Sequence, residues 1–496
     1  MTEVYFKPFR DQIIGIDQEF PTPFGIKKMI YADWIASGRL YGPIESKLME
    51  RVFPFCANPH TETSITGTMM TKMYLEAKRR IKREVNANEE DILIFEGSGM
   101  TACINKLQRI MGLRIPERSG DFCQIVCEEL RPVVFVTHME HHSNQTSWLE
   151  TMADVEIIQP TEQGEVDLTH FRELLKKYQS RPLKIASVTA ASNVTGILTP
   201  YHEISKMIHA YGGYCMVDFA CSGPYVHINM HPENKDEALD AIFLSPHKFL
   251  GGPGACGLML FNRKLYKNKI PDHSGGGTVT FTTPWQTHEY IENIEDREDG
   301  GTPPFLQGIK TALCFALKSE MGVDNMLKRE EELLAKAFER LERIGNLKIL
   351  QGNLKKRLGC ISFFIEGMHF NFGVKLLNDL FGIQVRGGCA CAGTYGHYLL
   401  GITQSDSNEI LQRIKRGDLF ARPGWIRLSL HPTLTEEELD TILDGIEYVA
   451  ANFKSLEDQY VYVKNKNIFR HKNNERNFSD DQLQELFESG SIGINA

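Results

Sequence analysis

From about residue 90 the chain alternates short apolar runs with helical stretches, and that alternation leaves few folds open. The runs DILIFEG, PVVFVTH, DVEIIQP, KIASVTAAS, YCMVDFA, DAIFLSPHK and CGLMLFN read as buried strands, each closing near Gly, Ser, His or Asp. Between several of them lie helix-like segments such as LTHFRELLKKYQ and YHEISKMIHAYG, the latter stopped by a glycine pair. Strands buried on both faces and separated by helices predict an α/β fold with a mostly parallel, seven-stranded sheet. Ligands of such sheets gather at the carboxyl ends of the strands, so chemistry is expected in the polar residues just after each apolar run.

After about residue 320 the pattern changes. A charged amphipathic helix (LKREEELLAKAFERLERIG), the strands CISFFIEG, IQVRGG and WIRLSLH, and a second helix (TEEELDTILDGIEYVAANF) predict a smaller α+β domain. The expected division is an N-terminal segment at 1–30 packing on the small domain, a large domain at 31–320, the small domain at 321–455 and a polar tail at 456–496. The tail is weakly patterned and is expected to be partly disordered, with one short helix.

The 496 residues include 64 acidic and 55 basic side chains, a formal net charge of −9. That balance argues against an electrostatic grip on nucleic acid or on an anionic membrane surface. No apolar run approaches the ~18 residues that span a bilayer, and the opening MTEVYFKPFRDQ lacks the basic-then-apolar order of a secretory signal. A cytoplasmic protein with a small-molecule ligand is expected. The eleven cysteines form an odd, sparse set, and Cys103, Cys215 and Cys256 sit inside apolar stretches, which suits reduced thiols better than a disulfide framework.

The stretch DAIFLSPHKFLGGPGACG delivers Ser245, His247 and Lys248 from a buried strand to a turn. A lysine at the mouth of an apolar sheet is desolvated, which lowers its pKa toward Schiff-base chemistry; the competing reading is an ordinary surface lysine. Thirty residues earlier, GGYCMVDFA ends another strand in Asp218, which suits a carboxylate holding a pyridinium N–H or, equally, a cap on the next turn. Gly97, Ser98 and Gly99 of FEGSGMTACIN lie between a strand and a helix, where free amides cradle phosphate, unless the segment is a plain turn. THMEHHSNQTSW offers His138, His141 and His142, either for stacking on a flat ring or as a polar loop. Asn193 and Arg427 are a candidate hydrogen-bonding amide and a candidate carboxylate fork.

Taken in order, Gly-Ser-Gly, Glu-His-His, Ser-Asn-x-x-Gly, Val-Asp, Ser-x-His-Lys and a late Arg resemble the class V aminotransferase family of fold-type I pyridoxal-phosphate enzymes. The resemblance runs from about Tyr31 to Asn452 and is strongest to the cysteine desulfurase/selenocysteine lyase branch. It implies that Lys248 carries pyridoxal 5′-phosphate as an imine, that Asp218 pairs with the pyridine nitrogen and that His141 stacks on the ring. It further implies that Asn193 sits by the phenolic oxygen or the substrate carboxylate, which Arg427 binds. Ser98, Gly99 and Thr101, with Ser245 and His247, would hold the phosphate. Thr302 of DGGTPPF would approach the cofactor of a neighbouring subunit, so a homodimer is implied, and Asn58 and His60 would help close over the substrate.

Two departures from that pattern stand out. Cys221 occupies the position, three residues after Asp218, where desulfurases usually carry a glutamine that bonds the phenolic oxygen. In VRGGCACAGTYGH, Cys391 matches the persulfide-forming cysteine, and Cys389 stands where a histidine is often found. The pair reads as a sulfur-transfer site, as half of a metal site, or as two small packing residues; no partner pair with zinc spacing is evident, and no metal is expected. The implied activity is cysteine desulfuration, giving alanine and a persulfide for a sulfur-acceptor protein. The alternatives are an aminotransferase, epimerase or other lyase acting on a different amino acid, with Cys391 structural, or a silent binding protein.

Overall fold

The computed structural model describes residues 2–121, 128–473 and 487. All seven apolar runs enter one sheet: β1 (Asp91–Phe95), β2 (Val133–Thr137), β3 (Asp154–Ile158), β4 (Lys184–Thr189), β5 (Tyr214–Asp218), β6 (Ala241–Leu244) and β7 (Leu258–Asn262). Their order is β1-β7-β6-β5-β4-β2-β3. The pairs from β6 to β3 are parallel, and β7 runs antiparallel to both β6 and β1. With β7 reversed, β1 points the same way as β2 to β6, so six strands end at one edge.

The inner runs are largely apolar because both faces of the sheet are covered, whereas the edge strand β3, DVEII, is only partly buried and carries Glu156, which pairs with Lys177. Leu93, Phe95, Val133, Phe135, Val188 and Val217 enter one core; their alternating neighbours Ile92, Ile94, Val134, Val136, Ile185 and Met216 enter another on the opposite face. This is the period-2 alternation of a pleated strand. It aims the backbone, and therefore the polar residue after each strand, at a fixed place along the edge.

A second sheet holds β8 (Leu347–Ile349), β9 (Cys360–Ile365), β10 (Arg386–Gly388) and β11 (Trp425–Ser429), antiparallel in the order β8-β9-β11-β10. Helices Val323–Leu341 and Glu436–Leu456 lay Leu333, Ala337, Phe338, Leu439, Ile442 and Ile446 into its core. The run IQVRGG, expected as one strand, divides at Val385. Ile383–Gln384 pairs in parallel with Ile30–Tyr31, while Arg386–Gly388 pairs with β11. The break lets one short segment tie the N-terminal part of the chain to the small sheet and then present Arg386 toward the large sheet's edge.

Helix Thr2–Arg10 sends Phe6 into the core that includes the large sheet, and Arg10 pairs with Glu438 at 2.5 Å. The first part of the tail differs from the weakly patterned segment expected. Tyr460–Val463 and Ile468–His471 form an antiparallel hairpin, because Tyr460 and Phe469 both find partners: Tyr460 Oη donates to Asp379 Oδ2 at 3.0 Å and Phe469 packs 5.0 Å from Phe372. The short helix expected farther on lies outside the described residues. Among the described residues no helix is long and apolar enough to cross a membrane.

Candidate active site

The carboxyl-end edge of the large sheet and the loop after β10 enclose a cavity of about 830 Å3. Lys248, Asp218, His141, Asn193, Arg427 and Cys391 all line it. So do Ser98, Gly99, Thr101, Cys221, Ser245 and His247. Residues spread over more than 300 positions of sequence, from Ser98 to Arg427, therefore converge, because six strands of the large sheet end together and the small sheet brings Cys391 and Arg427 against them.

At one end lies the start of helix Met100–Ile110, whose first amides have no partner within the helix. Ser245 Oγ accepts from the Met100 amide at 3.0 Å, and His247 Nδ1 donates to the Ser98 carbonyl at 2.9 Å. Thr101 and Ser143 share a hydroxyl hydrogen bond of 2.7 Å. A side chain at Gly99 would place its Cβ 3.0 Å from Ser245 Oγ and 3.1 Å from His247 Cε1, so glycine keeps this polar cradle open. Free amides, hydroxyls and an open floor are the donor set a phosphate requires.

Deeper in the cavity, Asp218 ends β5 and its Oδ1 accepts from the Ala220 amide at 2.7 Å. Burial pushes its carboxyl up to about 6, against the pull of that amide and of Lys248. Burial likewise lowers the Lys248 ammonium below its usual range, opposed by Cys221 and Asp218. His141 is driven down to about 3 by burial and by the Lys248 charge, so its ring is neutral. Its Nδ1 accepts from the Ser143 amide at 3.1 Å, which fixes the ring at the start of helix His142–Leu149. The Cys221 thiol donates to the Ala191 carbonyl at 2.9 Å and is pushed up to about 12 by burial. It is a neutral thiol engaged with backbone.

At the far wall Arg427, 3% exposed, donates from Nη2 to Asp33 Oδ1 at 2.8 Å and from Nη1 to the Asn193 carbonyl at 3.1 Å. Its Nε and the Asn193 Oδ1 are buried and find no hydrogen-bond partner among the described residues. Both residues line the cavity, and the Arg427 guanidinium supplies it with a buried positive charge. Cys391 is exposed on the loop after β10, and Cys389 is half-buried. Among the described residues no three His, Cys, Asp or Glu side chains gather as a metal site.

Not every residue singled out in the sequence reaches this cavity. Gly97 and Thr302 line a second one, of about 950 Å3, which shares Glu96, Ser98 and His247 with the first. Asn58 lies beside Thr302, its Nδ2 3.4 Å from Thr302 Oγ1, and His60 is held at its amide by Thr71. His138 is buried under the site, where burial lowers it to about 4 and its Nε2 meets the Gly164 carbonyl. Conversely, the sequence pattern gives no reason to single out Asp33 or Glu140 as site residues. Asp33 lies in the segment ADWIASGR, just after Ile30–Tyr31. Glu140 is the acid of the EHH triplet; buried and pushed up to about 7, it accepts from the Thr189 amide at 2.9 Å and ties β2 to β4 beneath the cavity.

A family model, Aminotransferase class-V, matches residues 30–442. The chain belongs to the class V aminotransferase family. Class V aminotransferases are pyridoxal 5′-phosphate enzymes, and the cradle at Gly99, the buried Asp218 and the desolvated Lys248 fit that group. A relative from Halalkalibacterium halodurans, described as a probable cysteine desulfurase, is 27% identical over 369 residues, covering 73% of this chain and 84% of the relative. A cysteine desulfurase from Haloferax volcanii is 27% identical over 429 residues, covering 84% and 89%. Among solved structures, a cysteine desulfurase from Thermococcus onnurineus superposes with a TM-score of 0.68 at 22% identity, covering 86% of this chain and 95% of that one. A cysteine desulfurase from Escherichia coli gives 0.67 at 18% identity, covering 90% and 98%. At such identity the two structures establish the shared class V fold.

Proposed function

We propose that this class V enzyme is a cysteine desulfurase that leaves alanine and holds the sulfur as a persulfide on Cys391. The observation that carries the reading is that an exposed cysteine, Cys391, lines the same cavity as Lys248, Asp218 and Arg427. The names of the relatives from Halalkalibacterium halodurans and Haloferax volcanii support it.

In this reading Ser98, Gly99, Thr101, Ser245 and His247 bind the phosphate, and Lys248 Nζ holds the cofactor and then moves the substrate's Cα proton. Asp218 holds the proton of the pyridine nitrogen, which in turn keeps the carboxylate ionised despite its burial. His141, which lines the same cavity with a neutral ring, would lie against the cofactor ring. When bound, pyridoxal 5′-phosphate supplies the electron sink that such amino-acid chemistry needs. Arg427, with Asn193, orients the substrate carboxylate through a charge-assisted fork.

The Cys391 thiolate attacks the substrate sulfur. An S–S bond forms and the Cβ–S bond breaks, so cysteine plus the enzyme thiol gives alanine plus the enzyme persulfide. Sulfur is oxidised and Cβ is reduced within one reaction, and no outside oxidant is required. The sulfur then passes to an acceptor protein. The nine described cysteines are all free thiols, which suits action in the reducing cytoplasm.

The deciding experiment incubates the purified, cofactor-loaded protein with cysteine and measures alanine and persulfide. Cys391→Ser is expected to lose both signals, while Cys389→Ser keeps alanine formation. Normal alanine formation by Cys391→Ser, or none by the native protein, would give precedence to a lyase, epimerase or aminotransferase acting on another amino acid. The same reading includes a two-fold homodimer in which Thr302 of each protomer approaches the other's cofactor. Light scattering that finds a fully active monomer removes that part.

A further inference from the structure

The loop that carries Cys391 has an uncommon backbone. Ala390 and Cys391 lie consecutively in the left-handed region, with φ of 51° and 56°. Neither is glycine, and each such residue costs on the order of 1–3 kcal/mol unless its surroundings impose it.

One residue grips the loop at two points around the thiol. The His142 amide donates to the Cys391 carbonyl at 2.7 Å, and the Gly393 amide donates to His142 Nε2 at 2.8 Å. His142 is the first residue of helix His142–Leu149, so its own amide has no partner within the helix and is free for this task. A side chain at Gly393 would place its Cβ 3.0 Å from His142 Nε2, so glycine there leaves room for the imidazole. Asn193 Nδ2 adds a bond to the Ala390 carbonyl at 2.7 Å. From the other side His397 Nδ1 donates to the Gly393 carbonyl at 2.7 Å. Because Gly393 donates, His142 Nε2 carries no proton, and burial favours that neutral ring.

We propose that His142 is a positioning residue for the Cys391 thiol, a clamp whose amide and imidazole hold the strained loop so that the sulfur faces the substrate in the cavity. The role rests on Cys391 being the sulfur acceptor. A clamp of this kind acts on the sulfur-transfer step and leaves cofactor binding alone. Placement of a nucleophile within about 1 Å is worth up to roughly 100-fold in rate.

The test compares wild type, His142→Ala and His142→Gln as cofactor-loaded enzymes. A glutamine carbonyl can replace the lost acceptor; alanine cannot. The expected result for His142→Ala is amide exchange over 389–394 faster by about tenfold or more, and kcat for alanine formation lower by a similar factor. KM and the amount of borohydride-trapped cofactor stay near wild type, and His142→Gln recovers most of both losses. Exchange and kcat in His142→Ala within about twofold of wild type would overturn the clamp, as would equal losses in the alanine and glutamine variants. If His142→Ala does not accumulate folded, Gly393→Ala replaces it, since its methyl displaces the imidazole. A wild type that makes no alanine refutes the desulfurase reading, and the exchange comparison still decides whether His142 holds the loop.

Discussion

Arg386 and Arg427 stand directly opposite each other on neighbouring antiparallel strands, and a single carboxylate reconciles them. Like charges at such a cross-strand position repel. Asp33 accepts from Arg427 Nη2 on one oxygen and from Arg386 Nε on the other, each at 2.8 Å. It arrives from just after Ile30–Tyr31, the segment that pairs with Ile383–Gln384. The same short pairing that joins the N-terminal chain to the small sheet thus sets the charge balance around the candidate carboxylate site.

Asp33→Ala leaves Arg427 buried and uncompensated, and removing one partner of a buried pair costs about 3–5 kcal/mol. Arg386 is exposed, so its half of the bridge is worth about 1 kcal/mol or less. Denaturant unfolding is therefore expected to show a large loss for Asp33→Ala and a small one for Arg386→Ala. The conservative Asp33→Asn should raise KM for the amino-acid substrate more than it lowers kcat, because the arginine that orients the carboxylate loses its anchor.

Asp218 carries a measurable conflict between function and stability. Its folded pKa of about 6 lies above the ordinary 3.8, so the native state binds this proton more tightly than the unfolded chain. Stability of the cofactor-free protein therefore falls as pH rises from about 4 through 6, and the burial cost is fully present above that window. A shift of this size corresponds to roughly 3 kcal/mol. Asp218→Asn, neutral throughout, should match wild-type stability near pH 4 and exceed it at pH 8 in thermal unfolding without cofactor. Its turnover should fall by orders of magnitude. Equal pH dependence in the two proteins would show that the wild-type carboxylate is not desolvated.

The large sheet was legible because its strands are short, mostly apolar runs separated by helices, and a sheet with one common edge converts that pattern directly into site positions. Lys248, Asp218 and His141 could be found from sequence for that reason. Asp33, Glu140 and His142 were less legible because their roles depend on contacts across the fold: Asp33 meets Arg427 from 394 positions away, and Glu140 meets Thr189 through a strand neighbour. The hairpin Tyr460–His471 escaped notice because only its inward residues are aromatic, while the turn residues Lys464–Lys466 give it a polar average.

Gly99 tests the phosphate cradle by volume alone. Its φ of 179° is extended backbone that any residue adopts, so Gly99→Ala carries no conformational penalty and the fold should persist. The added methyl instead presses on Ser245 and His247. Overpacking of this kind costs about 1–3 kcal/mol, which predicts cofactor affinity weaker by roughly 10- to 100-fold. Absorbance titration of the cofactor-free protein with pyridoxal 5′-phosphate measures it, and unchanged affinity would place the phosphate elsewhere.

Two cysteines line the cavity, and their environments separate them. Cys221 is buried, its thiol donates to the Ala191 carbonyl, and it is held up at about 12, so it presents almost no thiolate at neutral pH. Cys391 is exposed on a clamped loop. Limited alkylation of the native protein near pH 7.5 should therefore label Cys391 and the surface residue Cys56 and leave Cys221 intact, with mass mapping to assign the sites. Loss of alanine formation should follow Cys391 modification with one-to-one stoichiometry, and a Cys56→Ser protein should show the same correspondence. Cys221→Ser, which keeps a donor to Ala191, should retain most turnover. If turnover instead vanished in Cys221→Ser while alkylated Cys391 stayed active, the sulfur would have to be accepted at Cys221, against its burial and its raised pKa.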